Sequence, residues 1–112
     1  MRRYAETTSN SKKKDTFRKS LRWKRWRYEM VDYYNNLDSL TLKPLHKGFN
    51  VHHLCMKAEE YEILTPERFR PLNHKSHEAI HFLYYYYVKD PFILDRLKLI
   101  LDEMVKYNND NQ

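Results

Sequence analysis

The stretch Asn73-His74-Lys75-Ser76-His77-Glu78-Ala79-Ile80-His81 places two histidines four residues apart with a carboxylate between them. On a helix, residues at that spacing lie one above the other, so His77 and His81 can share a single divalent ion. Upstream, Phe49-Asn50-Val51-His52-His53-Leu54 carries two adjacent histidines in a segment with strand character. Side chains alternate across a strand, so His52 and His53 suit two different jobs at a strand end. Imidazole ligates divalent ions through a neutral nitrogen, and its ordinary pKa suits proton transfer near neutrality. Three of the four can therefore grip an ion while the fourth takes a proton, and spacing alone does not say which is which.

The elements that must position these groups follow from the pattern around them. Trp23, Trp26, Met30 and Tyr33 recur at helical spacing, with Arg22, Lys24, Arg25 and Arg27 on the other faces. They predict a basic amphipathic helix, capped by Asp15 or Thr16 and broken near Ser20. Asn35, Asn36, Asp38, Pro44 and the only glycine, Gly48, punctuate turns before the first strand. Thr65-Pro66-Glu67-Arg68 reads as a brief helical turn, and Phe69 to Asn73 as a second strand whose final asparagine caps the next helix. That helix, about 74 to 89, holds His77 and His81 in its first two turns and then a tyrosine run, Tyr84 to Tyr87, suited to packing. After Asp90-Pro91, the residues Ile93, Leu94, Leu97, Ile100, Leu101, Met104 and Val105 form an apolar stripe, predicting a last helix that is a core element or a partner-binding surface. Strand, loop, strand and helix together make a hairpin packed on a helix, expected to bring all four imidazoles near one point. The fold class expected is α+β, a small core of two strands and one helix with flanking N-terminal and C-terminal helices.

At 112 residues the chain is expected to form one domain over residues 15–107, between a disordered basic arm at 1–14 and a frayed tail at 108–112. Its net charge of +6 is unevenly spread. Met1 to Tyr28 holds 11 Lys/Arg against 2 Asp/Glu, or +9, and the remainder holds 10 against 13, or −3. Such a basic segment on a near-neutral body attracts a phosphate backbone by counterion release, which makes DNA the expected partner. Its contact candidates are Lys12, Lys13, Lys14, Arg18, Arg22, Lys24, Arg25 and Arg27, joined by His74 and Lys75 at the start of the histidine helix, where unpaired backbone N–H groups favour anions. No apolar run reaches the ~18 residues that span a bilayer and none follows the basic start as a signal peptide would show, so an intracellular protein without membrane contact is expected. The single cysteine, Cys55, excludes an internal disulfide and paired-cysteine zinc knuckles.

With "FNVHHL", "PERFRPLNHKSHEAIH" and the upstream "FRKSLRWKRWRYEM" on the page, the chain resembles the HNH endonuclease family, of ββα-metal or His-Me finger fold, and in particular its small phage-type members. The likeness runs from Phe17 to near Asp90. It implies a phage- or mobile-element-encoded DNA endonuclease acting in a bacterial host. It also implies His53 as the general base, and His52, His77 and His81 as ligands of one divalent ion among Mg, Mn, Ni and Zn. Where the family usually carries its middle asparagine, this chain has Arg68, which can brace the same backbone carbonyls or clamp a phosphate. That departure leaves room for an HNH-fold protein that binds DNA or another protein without cutting. A zinc metalloprotease is the remote alternative, since His77-Glu78-Ala79-Ile80-His81 matches H-E-x-x-H, with Glu78 then the general base and Asp102 or Glu103 a possible third ligand.

Overall fold

A computed structural model describes residues 8–109, so the expectations for residues 1–7 and 110–112 lie outside the described part. Helices α1 (Thr8–Arg18) and α2 (Leu21–Tyr33) precede strand β1 (Asn50–His53). Two 3-10 turns, Ala58–Glu60 and Pro66–Arg68, lead to strand β2 (Phe69–Leu72), followed by α3 (His74–Tyr87) and α4 (Ile93–Asn108). Among the described residues the architecture is α+β, with four helices and one two-stranded antiparallel sheet. The chain divides into two compact units, Met1–His77 and Glu78–Gln112, and the division falls within the unbroken helix α3.

In the first unit, the expected break at Ser20 is a helix boundary. The Ser20 hydroxyl accepts the Trp23 amide at 3.1 Å, capping α2 at its first free donors, and itself donates to the Phe17 carbonyl at 2.6 Å. Asp15 and Thr16, expected as caps, lie inside α1 instead. The basic segment is thus already helical from Thr8, where disorder was expected up to residue 14. Low apolar content hid this helix, because its attachment runs through long cationic side chains and one ring. Lys14 is buried, with Nζ donating to the Met56 carbonyl at 2.6 Å and lying 5.1 Å from the Tyr61 ring centroid.

The core gathers Phe17, Trp23, Met30, Val51, Tyr61 and Phe69, with Phe69 wholly enclosed. Within the helical stripe read from the sequence, Trp23 and Met30 are buried and Trp26 is half-buried against Phe69. Tyr33 is exposed, and its neighbour Tyr34 packs on the core in its place. The two strands pair with His52 opposite Arg70 and His53 opposite Phe69. Since one face of this ribbon lies on the aromatic core, the pleat fixes which histidine goes inward.

In the second unit, the described side chains remain largely on the surface. Phe82, Tyr84, Tyr85, Tyr86 and Tyr87 of α3 are exposed, with ring contacts of Phe82 and Tyr85 to Tyr86. The packing role expected for the tyrosine run is therefore not found. No side chain of α4 is buried, so the core role expected as one alternative for its apolar stripe is not found.

Candidate metal centre

Three histidines come together. His52 leaves β1 on the face away from the aromatic core and meets His77 in the first turn of α3, with ring centroids 5.2 Å apart at an interplanar angle of 72°. His81 follows one turn later on the same continuous helix, so its place above His77 comes from α-helical geometry itself. Each of the three offers one ring nitrogen, and these atoms all lie within 4.8 Å of one another. Two nitrogens bound to one ion at ~2.1 Å stand about 3 to 3.5 Å apart, so modest side-chain torsion would close the set around an ion. His52 and His77 are half-buried and His81 is exposed to solvent. The donor chemistry fits a borderline divalent ion, since three imidazoles leave coordination positions for oxygen ligands.

The fourth imidazole does not join them. His53 points to the reverse face of β1, where it is stacked on Tyr61 at 3.8 Å between centroids and on Trp23 at 4.9 Å, with the Phe69 edge at 4.7 Å. The expectation that all four imidazoles meet at one point is corrected by this alternation: three converge and one is held in the core. The His53 Nε2 lies 3.0 Å from the Tyr61 carbonyl. Burial pushes its pKa down to about 4; the bond to Tyr61 opposes this, and the positive charges of Arg18 and Lys14 add to it.

The Arg68 side chain is about a third exposed and pairs with a carboxylate rather than with a backbone carbonyl. Its guanidinium donates to Glu60 at 2.8 Å, a bond that holds the Glu60 carboxyl below its ordinary pKa. The main chain braces the strand end instead, because the Arg68 carbonyl accepts the amide of Leu54, the residue after His53, at 2.8 Å.

The start of α3 is positioned by a residue whose role the sequence did not reveal. Asp38 is fully buried, and its carboxylate accepts the amides of Leu40, Thr41 and Asn73 at 2.7–2.8 Å. Burial raises its pKa, but those amides and the Ser76 hydroxyl outweigh burial and leave it below the ordinary value. One carboxylate thus ties the 38–41 turn to the residue before α3 and to the residue beside His77. Asn73 stands at the helix start as expected, its carbonyl accepting the His77 amide, but its side chain does not cap. It bonds instead to the His46 amide and the Pro44 carbonyl, holding the loop that leads into β1. An aspartate in a turn-rich segment was the only sequence signal for this anchor.

The basic residues fall into two sets. Lys14, Arg18, Arg22 and Arg27 are engaged within the fold: Arg18 bonds the Tyr61 hydroxyl, Arg22 bonds Glu62, and Arg27 donates to the Phe49 carbonyl while lying over its ring. Lys14 in particular is withdrawn from any phosphate by its burial. Lys12, Lys13, Lys24 and Arg25 are exposed, as are His74 and Lys75 at the start of α3. Lys12, Lys13, Thr16, Ser20 and Arg22 border a hollow of about 510 Å³ whose acidic wall is Glu62. Glu78 is exposed, and Asp102 and Glu103 are not in the three-histidine group, whose third member is His52. No described helix is long and apolar enough to cross a membrane.

No family model, curated protein or solved structure matches this chain.

Proposed function

We propose that this protein is a metal-dependent phosphodiester hydrolase acting on DNA, an endonuclease of the HNH type built on a ββα-metal core. The observation that carries the proposal is the set of three imidazoles gathered from one strand end and two successive turns of one helix. His52, His77 and His81 would hold one divalent ion. When bound, that ion supplies a Lewis acid that offsets charge developing on the phosphoryl oxygens and the leaving 3′ oxygen. Lys12, Lys13, Lys24 and Arg25 would hold the phosphate backbone, and phosphate contacts of this kind position DNA without selecting its sequence. Water attacks phosphorus in line, the bond to the 3′ oxygen breaks, and the products carry 5′-phosphate and 3′-hydroxyl ends.

His53 is proposed as the acceptor of the attacking water's proton, a role that requires the end of β1 to turn, because the ring is enclosed on the face opposite His52 and His77. When Nε2–H is donated to the Tyr61 carbonyl, Nδ1 is the basic atom; a pKa of about 4 keeps it unprotonated at neutral pH and makes it a weak base until its burial is relieved. Its enclosure by Trp23 and Tyr61 gives a second reading its footing: a metal-stabilised DNA-binding module that does not hydrolyse. Supercoiled plasmid incubated with purified protein over a series of Mg²⁺, Mn²⁺, Ni²⁺ and Zn²⁺ separates the two. Nicking that chelator abolishes, that His77→Ala removes, and that His53→Gln lowers at least a hundredfold supports hydrolysis. Tight DNA binding with no nicking under any ion supports the module. Unchanged nicking in His53→Gln removes His53 from the reaction, and loss of peptide cleavage in Glu78→Ala would revive the protease alternative.

A further inference from the structure

The helix that carries His77 and His81 continues on the same stripe into an aromatic residue. At 3.6 residues per turn, Tyr84 falls within about 20° of His77 and about 60° of His81 around the axis of α3. It stands a rise of about 4.5 Å beyond His81, and helical side chains lean back toward the N-terminus, so its ring covers the turn that bears His81. Tyr84 is 64% exposed, and among the described residues no hydrogen bond or ring contact holds its side chain. Its neighbours are engaged: Phe82 and Tyr85 meet Tyr86, and Lys89 lies 4.5 Å from the Tyr85 ring centroid. A free aromatic face therefore stands beside an imidazole of the metal centre, with a cation following on the same segment.

The neighbouring imidazole decides what that face fits. A protein segment laid over Tyr84 would also lie over His81 and close the positions that an ion there keeps for oxygen ligands. A nucleotide fills both places without conflict. Its phosphate supplies the oxygen, and its base, joined through one sugar, sits at a reach comparable with one helical turn of about 5.4 Å. Aromatic faces interleaved with cations hold single strands in this way, because every base has a face to stack. In a duplex both faces of each base are already covered by its neighbours, so only an unpaired base can take the ring. We propose that Tyr84 is the stacking site for an unpaired nucleobase on the strand whose phosphate the histidine centre holds, which makes single-stranded or locally opened DNA the substrate class. The inference rests on the DNA reading of that centre given above.

Fluorescence anisotropy of the Zn²⁺-loaded full chain tests it, with labelled strands of about 12 nucleotides verified intact by electrophoresis after each titration. An all-thymidine strand should bind about tenfold tighter than an abasic strand of equal length and charge. A duplex with a central thymidine bubble should exceed the same duplex fully paired by a similar factor. Tyr84→Leu should bind the thymidine and abasic strands equally, with the helical signal in circular dichroism unchanged, and Tyr84→Phe should keep the preference because it keeps the ring. Loss of the preference in Tyr84→Leu but not in Tyr84→Phe is a result that a merely structural role would not give. Equal binding of the two strands by the unaltered chain, binding of neither, or a preference that survives Tyr84→Leu would overturn the proposal. A base preference without plasmid nicking would remove hydrolysis and leave Tyr84 in place, and nicking without a base preference would do the reverse.

Discussion

His52 and His53 are covalent neighbours with opposite surroundings. His52 meets His77 edge to face, and His53 is clasped between aromatic rings with 6% of its surface exposed. The depressed pKa of His53 has a defined consequence for stability. The unfolded chain takes up a proton at this position as pH falls below about 6.5, whereas the folded chain resists until about 4. Stability is therefore fully present above pH 6.5 and falls across the window from 6.5 to 4, by about 3 kcal/mol in total. Urea unfolding of metal-free protein at pH 7 and pH 4.5 should show this loss, and His53→Gln should flatten the slope in that window. That the two histidines part was legible from strand alternation alone. Which one turned inward was not, because Phe17, Trp23, Tyr61 and Phe69 come from separate segments and only together define an inner face. The partner of Arg68 was hidden for a related reason: Glu60 is held by a turn that the sequence did not signal.

At the scale of elements, the hairpin, the brief turn before β2 and the three long helices α2, α3 and α4 follow patterns visible in the residues. The first half of the basic segment did not, since α1 is held by Lys14, Arg18 and Phe17 instead of a full apolar stripe. The join between hairpin and helix rests on Asp38. Asp38→Asn keeps the shape but loses the charge, and one amide hydrogen of the new side chain would face donors. A destabilisation of about 2–4 kcal/mol is expected in denaturant unfolding, with weakened metal affinity because the start of α3 loosens. Retention of full stability would show that the carboxylate charge is not what ties the 38–41 turn to α3. Gly48 precedes β1 with φ of 87°, and a Cβ there would meet nothing within 4 Å. Gly48→Ala should nonetheless cost about 1 kcal/mol through backbone conformation alone, a value that thermal unfolding can measure.

For the molecule as a whole, charge asymmetry is the property read most directly from composition; in the structure Lys14 is buried, Arg18 and Arg22 are bonded to neighbours while still exposed, and Lys12, Lys13, Lys24 and Arg25 are exposed. DNA affinity measured by fluorescence anisotropy should fall steeply with salt. Lys12→Ala combined with Lys13→Ala should reduce the salt slope by about 1 to 2 while leaving stability unchanged, because both side chains are exposed. Lys14→Ala should behave differently, lowering stability through its lost attachment to Met56 and Tyr61. Whether His52, His77 and His81 form one metal centre is measured directly by isothermal titration of metal-free protein with Zn²⁺ or Ni²⁺. One ion per chain is expected, with affinity falling in acid as imidazoles take up protons, at least a tenfold loss in each of His52→Ala, His77→Ala and His81→Ala, and none in His46→Ala or His74→Ala. Equal binding by the three alanine variants and the unaltered chain would contradict it.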